Sequence, residues 1–184
     1  MKTQSVFSYV MRITLTLLLI AAVVAAALAL VNQLTAPEIA QKTLEKTQKA
    51  IAVVLPGGYN EEIAEFSDDT GLVSKVYKGE NGYAIEVTPT GFDNTITMMV
   101  GVDFEGKVLG ISIISHSESA GLGAVAAGSN SAGIAFRDQF IGLSGDVAVI
   151  KDGGTVDAIT NATITSRAIC DGVSAALDCA EKLG

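Results

Sequence analysis

Residues 95–102 read TITMMVGV, residues 103–106 read DFEG and residues 107–115 read KVLGISIIS. Two apolar, partly β-branched runs on either side of a short polar turn containing glycine predict a β-hairpin. Working upstream, residues 72–78 (LVSKVYK) and 83–88 (YAIEVT) alternate between apolar and polar and are joined by GENG at 79–82, which predicts a second antiparallel pair. Downstream, a glycine-rich stretch at 117–133 precedes a short helix expected over 134–141. A strand is expected at 147–151, ahead of the turn Asp152-Gly153-Gly154. The chain then closes in a helix over 165–183, where Ile169, Val173, Ala176, Leu177 and Ala180 recur at helical spacing. Strands in runs with helices set apart define an α+β domain: a mainly antiparallel sheet with flanking helices. Tyr83 and Phe92 are expected in its core, and Asp68-Asp69 in a solvated turn.

The chain has 184 residues, room for one such domain and an anchor. Its formal net charge is −8, with no basic stripe, which argues against a nucleic acid partner. One histidine, His116, and two cysteines, Cys170 and Cys179, are too few for a zinc site or an iron–sulfur cluster. The cysteines are nine residues apart on one expected helix. Steps of about 100° and 1.5 Å put them on opposite faces, roughly 13 Å apart along the axis, beyond disulfide reach. They read as small buried apolar side chains.

The mean hydropathy of +0.44 is high for a soluble protein. Its source is the run ITLTLLLIAAVVAAALALV at residues 13–31, which carries no charge and is long enough to cross a bilayer core. Lys2 and Arg12 precede it and no acid does, so the positive-inside rule puts residues 1–12 in the cytoplasm and the rest outside. Ala27-Leu28-Ala29 also fits a signal-peptide cleavage site, but the run exceeds the usual signal core of about 7–15 residues. Thr35, Pro37 and Glu38 read as the cap, first turn and capping box of a second helix, a mostly polar stalk over residues 32–56 ended by Pro56-Gly57-Gly58. Residues 57–184 then form the exported domain.

The chemistry is concentrated in Asp157-Ala158-Ile159-Thr160-Asn161-Ala162-Thr163-Ile164-Thr165-Ser166-Arg167. A hydroxyl-rich turn feeds a helix N-terminus, where free backbone N–H groups and the helix dipole favour a phosphate. Thr160, Thr163, Thr165 and Ser166 offer hydroxyls, and Arg167 offers a charge. On these grounds alone ordinary N-capping competes with phosphate binding.

The order of residues resembles the attachment motif D-x-x-(S/T)-G-A-T-x-(S/T) of the flavin mononucleotide (FMN)-binding family that includes the G subunit of the Rnf electron-transport complex and the C subunit of the sodium-pumping NADH:quinone reductase. Asp157, Thr160, Ala162, Thr163 and Thr165 fall on it in register. The resemblance implies covalent FMN, joined through its phosphate to Thr163 by a flavin transferase of the ApbE type. Asn161 replaces the family's glycine, and asparagine is the non-glycine residue best suited to left-handed φ. Upstream, His116-Ser117-Glu118-Ser119-Ala120-Gly121-Leu122-Gly123 looks like H-x-E-T-P-G-L-G, with Ser119-Ala120 in place of Thr-Pro. It makes Glu118, Gly121, Leu122 and Gly123 further candidates for contact with FMN, the glycines allowing close backbone approach. His116 reads as structural, and Glu118 as either a turn charge or a flavin contact. The membrane exit at residues 31–37, Gly82-Tyr83 and residues 99–103 also look like the Rnf member, and the short chain favours it over the quinone-reductase one.

What the resemblance implies is an electron-carrier subunit of a membrane-bound, ion-translocating ferredoxin:NAD oxidoreductase, whose partners are other membrane, iron–sulfur and flavin subunits. No G-x-G-x-x-G fingerprint is present for taking hydride directly from a nicotinamide, and one helix cannot form an ion pathway. A different extracytoplasmic flavin protein, or an anchored scaffold in which Thr163 is only a cap, are the alternatives.

Overall fold

The structure, a computed structural model, describes residues 3–184, with side chains from Val6 onward. Lys2, one of the two basic residues in the orientation argument, lies outside the described residues. The first element is a single helix, α1 (Thr3–Val54). It is long and apolar enough to cross a membrane. Its apolar side chains from Val6 to Val31 are exposed, as suits a segment whose solvent is lipid hydrocarbon.

No second helix starts at Thr35. The Thr35 hydroxyl donates to the Val31 carbonyl at 2.9 Å, and Glu38 pairs with Lys42 at 2.9 Å rather than closing a capping box. The physical reason is that the helix is already formed upstream. Thr35 therefore has no orphan N–H groups to cap, and its hydroxyl turns back onto the preceding turn. Pro37, inside the helix, removes one backbone donor without ending it.

Two compact units divide the chain, Met1–Glu45 and Lys46–Gly184. The second contains the last turns of α1 and all of the sheet. Five strands, β1 (Glu61–Ile63), β2 (Val73–Lys78), β3 (Gly82–Val87), β4 (Thr97–Asp103) and β5 (Val108–Ser115), pair antiparallel in sequence order. Both expected strand pairs form, β2 with β3 and β4 with β5; the short edge strand β1 has too few residues to show a period. The strands alternate between two faces, as period-two side chains must. Val76, Tyr83, Ile85, Val87, Met98, Val100 and Val102 face α3 (Thr163–Leu183) and bury Ile169, Val173, Ala176 and Leu177. Tyr77, Ala84 and Met99 face the other way and cover Ala50, Ile51, Val54 and Leu55 at the end of α1.

Cys170 and Cys179 are free and buried on α3, and burial pushes the Cys170 thiol up to about 12, so it stays protonated and inert. The helix expected at 134–141 is α2 (Ser131–Asp138), which starts earlier because the Asn130 side chain accepts from Gly133 N–H as an N-cap. The strand expected at 147–151 does not form. Val149 makes one parallel bridge to Val156, and the chain reverses through a single 3₁₀ turn, Ile150–Asp152, closed by Gly153 at φ 89°.

Candidate functional site

Between the loop before β4, the loop after β5 and the first turn of α3 lies a cavity of about 290 Å³. Phe92, Glu118, Ser119, Leu122, Gly123 and residues 161–165 line it. Local sequence explains how the α3 wall is made. Asn161 has φ 62°, the only positive φ outside glycine among the described residues, and turns the chain so that Ala162 leads into the helix. Ala162 occupies the N-cap position with no side-chain cap. The first intrahelical bond runs from Ser166 N–H to the Ala162 carbonyl at 3.0 Å. The N–H groups of the first turn therefore have no hydroxyl or amide capping them, which removes the ordinary-capping explanation for this polar stretch.

The hydroxyls divide sharply. Ser166, fully buried, accepts from Ile159 N–H at 3.0 Å and donates to the Ala162 carbonyl at 3.0 Å, bracing the turn from within. Thr165, also buried, donates to Glu118 Oε2. Thr160 is exposed and lies on a second concavity. Thr163 is half-buried on the cavity wall, and its hydroxyl makes no hydrogen bond among the described residues.

Glu118 is 8% exposed, and its carboxylate is fully engaged. Oε1 accepts from Phe92 N–H at 2.9 Å and Asp93 N–H at 3.2 Å, and Oε2 accepts from Thr165. A side chain on Gly91 or Gly123 would strike this carboxylate, so both glycines are there for close approach. His116 Nδ1 accepts from Glu118 N–H at 3.2 Å, a structural brace.

Of the residues singled out from sequence, Asn161, Ala162, Thr163, Thr165, Glu118, Leu122 and Gly123 come together around the cavity. Asp157, Thr160 and Gly121 do not; they line the neighbouring concavity with α2, where Gln139 Oε1 accepts from Asp157 N–H at 2.7 Å. Arg167 does not offer its charge to the cavity. It forms a bidentate pair with Asp152 at 2.6 and 2.7 Å, which holds the Asp152 carboxyl below the usual carboxylate range. Phe92, expected in the core, is 65% exposed on the cavity wall. Its neighbours Gly91, Asp93 and Asn94 are turn formers, the signal that it sits on a loop tip.

Residues 91–178 match the family described as FMN-binding domain, and residues 1–54 match the one described as RnfG N-terminal region. The G subunit of the ion-translocating oxidoreductase complex of Methanosarcina acetivorans is 32% identical, over 91% of this chain and 92% of its own length. The G subunit of the Na(+)-translocating ferredoxin:NAD(+) oxidoreductase complex of Acetobacterium woodii is 31% identical, over 99% of this chain and 97% of its own. The G subunit of the ion-translocating oxidoreductase complex of Pectobacterium atrosepticum is 34% identical, over 86% and 84%. Fold and site thus define an FMN-binding domain behind an apolar helix. The chain belongs to the family of G subunits of ion-translocating oxidoreductase complexes.

The cavity fits such a group. Uncapped N–H groups at a helix N-terminus suit a phosphate, and the exposed apolar side chains of Phe92, Leu122 and Ile164 suit a flat hydrophobic ring.

Proposed function

We propose that this chain carries one FMN joined as a phosphoester to the Thr163 hydroxyl, and that it relays electrons as the G subunit of an ion-translocating ferredoxin:NAD(+) oxidoreductase complex. The observation that carries the reading is the division of hydroxyls. Of the four between residues 160 and 166, two are committed to internal bonds and one faces elsewhere, which leaves Thr163 on the cavity wall. The bond is made by a separate flavin transferase of the ApbE type; no histidine or lysine lies within residues 157–166 to activate the threonine.

Bound FMN supplies one- and two-electron chemistry, and the protein supplies position and surroundings. The uncapped first turn of α3 holds the phosphate end. Asn161, by holding left-handed φ, keeps the approach to Thr163 open. Leu122 and Ile164 exclude water from part of the ring. Asp157 and Thr160, on the far side of the same loop, line the neighbouring concavity rather than this one. At about 290 Å³ the cavity is just below the roughly 300–1,000 Å³ range of ligand clefts, so part of the flavin remains outside it, where another redox protein of the complex can approach.

Arg12 before the apolar run of α1, with no acid ahead of it, supports a cytoplasmic N-terminus and a domain on the outer face of the membrane. A covalent bond matters there, because a flavin that dissociates outside the cell is lost by dilution. Ion translocation falls to other members of the complex.

The test is co-expression with a flavin transferase, followed by denaturing-gel fluorescence and intact mass. The wild-type chain is expected to fluoresce and to gain the mass of FMN less one water, and Thr163→Ala is expected to do neither. A dark wild type beside an active transferase would falsify the reading and favour a flavin-free scaffold.

A further inference from the structure

The geometry points to Phe92 as a flavin-contacting wall of the site, with Glu118 as the positioning residue that holds it there. This rests on the reading of the cavity as the seat of an FMN attached at Thr163. Phe92 is a large apolar side chain, 65% exposed, on a loop that otherwise consists of turn formers. Left to itself, such a side chain on a loose tip would gain nothing from its position. This tip is not loose. Thr90 and Thr95 form an antiparallel bridge across its base, and Gly91 N–H donates to the Asn94 carbonyl at 2.9 Å. The N–H groups of Phe92 and Asp93 both donate to Glu118, whose other oxygen accepts from Thr165 on α3. Ser119 Oγ adds a hydrogen bond to Asp93 Oδ2 at 3.0 Å.

One buried carboxylate therefore ties the Phe92 loop, the loop after β5 and the first turn of α3 into a single frame around the cavity. Thr165 sits two residues beyond Thr163, so the same bond fixes the distance between the attachment point and the aromatic wall. Leu122 and Ile164, 41% and 50% exposed, add to the apolar lining. An exposed aromatic on a pinned backbone beside a helix N-terminus is the arrangement that receives a planar ring tethered by its phosphate end, since offset stacking on an aromatic face favours that contact.

The chain contains no tryptophan, so a tryptophan introduced at this position is a single reporter. An indole in contact with an excited flavin donates an electron to it and quenches its emission. The full-length chain in detergent, co-expressed with transferase, would be compared as wild type, Phe92→Trp and Phe104→Trp. Phe104 is also an exposed aromatic, but it lies beyond the far end of β4. The seven residues of that strand separate the two positions by on the order of 20 Å.

The expected result is loss of most native flavin fluorescence in Phe92→Trp, recovered in denaturant, with Phe104→Trp as bright as wild type. Glu118→Ala in the Phe92→Trp background should restore much of the emission, and Glu118→Gln, which keeps the acceptor for Phe92 N–H, should not. A Phe92→Trp chain whose denatured band shows bound flavin, but whose native emission equals that of Phe104→Trp, overturns this inference alone. A wild-type chain that takes up no flavin overturns the attachment reading and this inference with it.

Discussion

Glu118 shows how much a single residue in this domain connects. Two backbone N–H groups and the buried Thr165 hydroxyl donate to it. Removing the acceptor leaves those donors without partners, at about 1–3 kcal/mol for each one that stays buried. Glu118→Ala is therefore expected to destabilise the domain by about 2–4 kcal/mol. Glu118→Gln should cost much less, because the amide oxygen can accept from Phe92 and Asp93 while its NH₂ donates to Thr165. Urea unfolding of the two variants checks this; equal losses would mean that charge, not hydrogen-bond geometry, is what the position requires. The residue could be picked out from its motif, but its role could not. Sequence placed Glu118 near a glycine turn and left it between a turn charge and a flavin contact, whereas its partners come from a loop 25 residues away and from a helix 47 residues away. Asn161 is the opposite case. The resemblance puts it where the family has glycine, asparagine is the non-glycine residue best suited to left-handed φ, and the structure has it at 62°.

At the scale of elements, strands β2 to β5 and α3 were legible because β2 and β3 alternate, β4 and β5 are apolar and partly β-branched runs, α3 carries a helical period, and each hairpin is closed by a short turn. The misreadings occurred where tertiary packing decides. The end of α1 looks like a polar stalk from Gln41 to Lys49, yet Ala50, Ile51, Val54 and Leu55 just beyond are buried on the second face of the sheet. The sheet is shaped to receive them. Gly101 on β4 lies directly under the Val54 carbonyl, and a Cβ there would strike that backbone. Gly110, its partner on β5, would place a Cβ at 4.0 Å from Val54 Cα, ordinary contact. Two glycines paired in one sheet are thus unequal. Gly101→Ala should cost about 1–3 kcal/mol by forcing the helix off its seat, while Gly110→Ala should stay within about 0.5 kcal/mol of wild type. Thermal unfolding of the two variants separates them, and an equally mild Gly101→Ala would mean that the helix end slides freely over the sheet.

For the whole molecule, the consequence is where the folded domain begins. Sequence put the boundary at Gly57, after the helix-breaking Pro56. The compact unit begins at Lys46 instead, because the last turns of α1 complete its core. Ile51, Val54 and Leu55 are each at most 2% exposed. Burying such side chains contributes about 1.5–3 kcal/mol apiece, an upper estimate because the unfolded chain already hides some apolar surface. Three of them approach the whole net stability of an ordinary domain, about 5–15 kcal/mol. Tyr77, Ala84 and Met99 would also lose their cover, leaving an apolar face on a five-stranded sheet open to water and to other chains. A fragment spanning residues 46–184 is therefore expected to be soluble, to unfold cooperatively and to accept flavin from the transferase. A fragment spanning residues 57–184, which keeps every residue of the cavity, should aggregate or unfold below physiological temperature. If the shorter fragment proves as stable as the longer, the helix end is an accessory to the domain; if it fails while the longer one is flavinylated, the segment leading from the membrane is part of the fold that holds the cofactor.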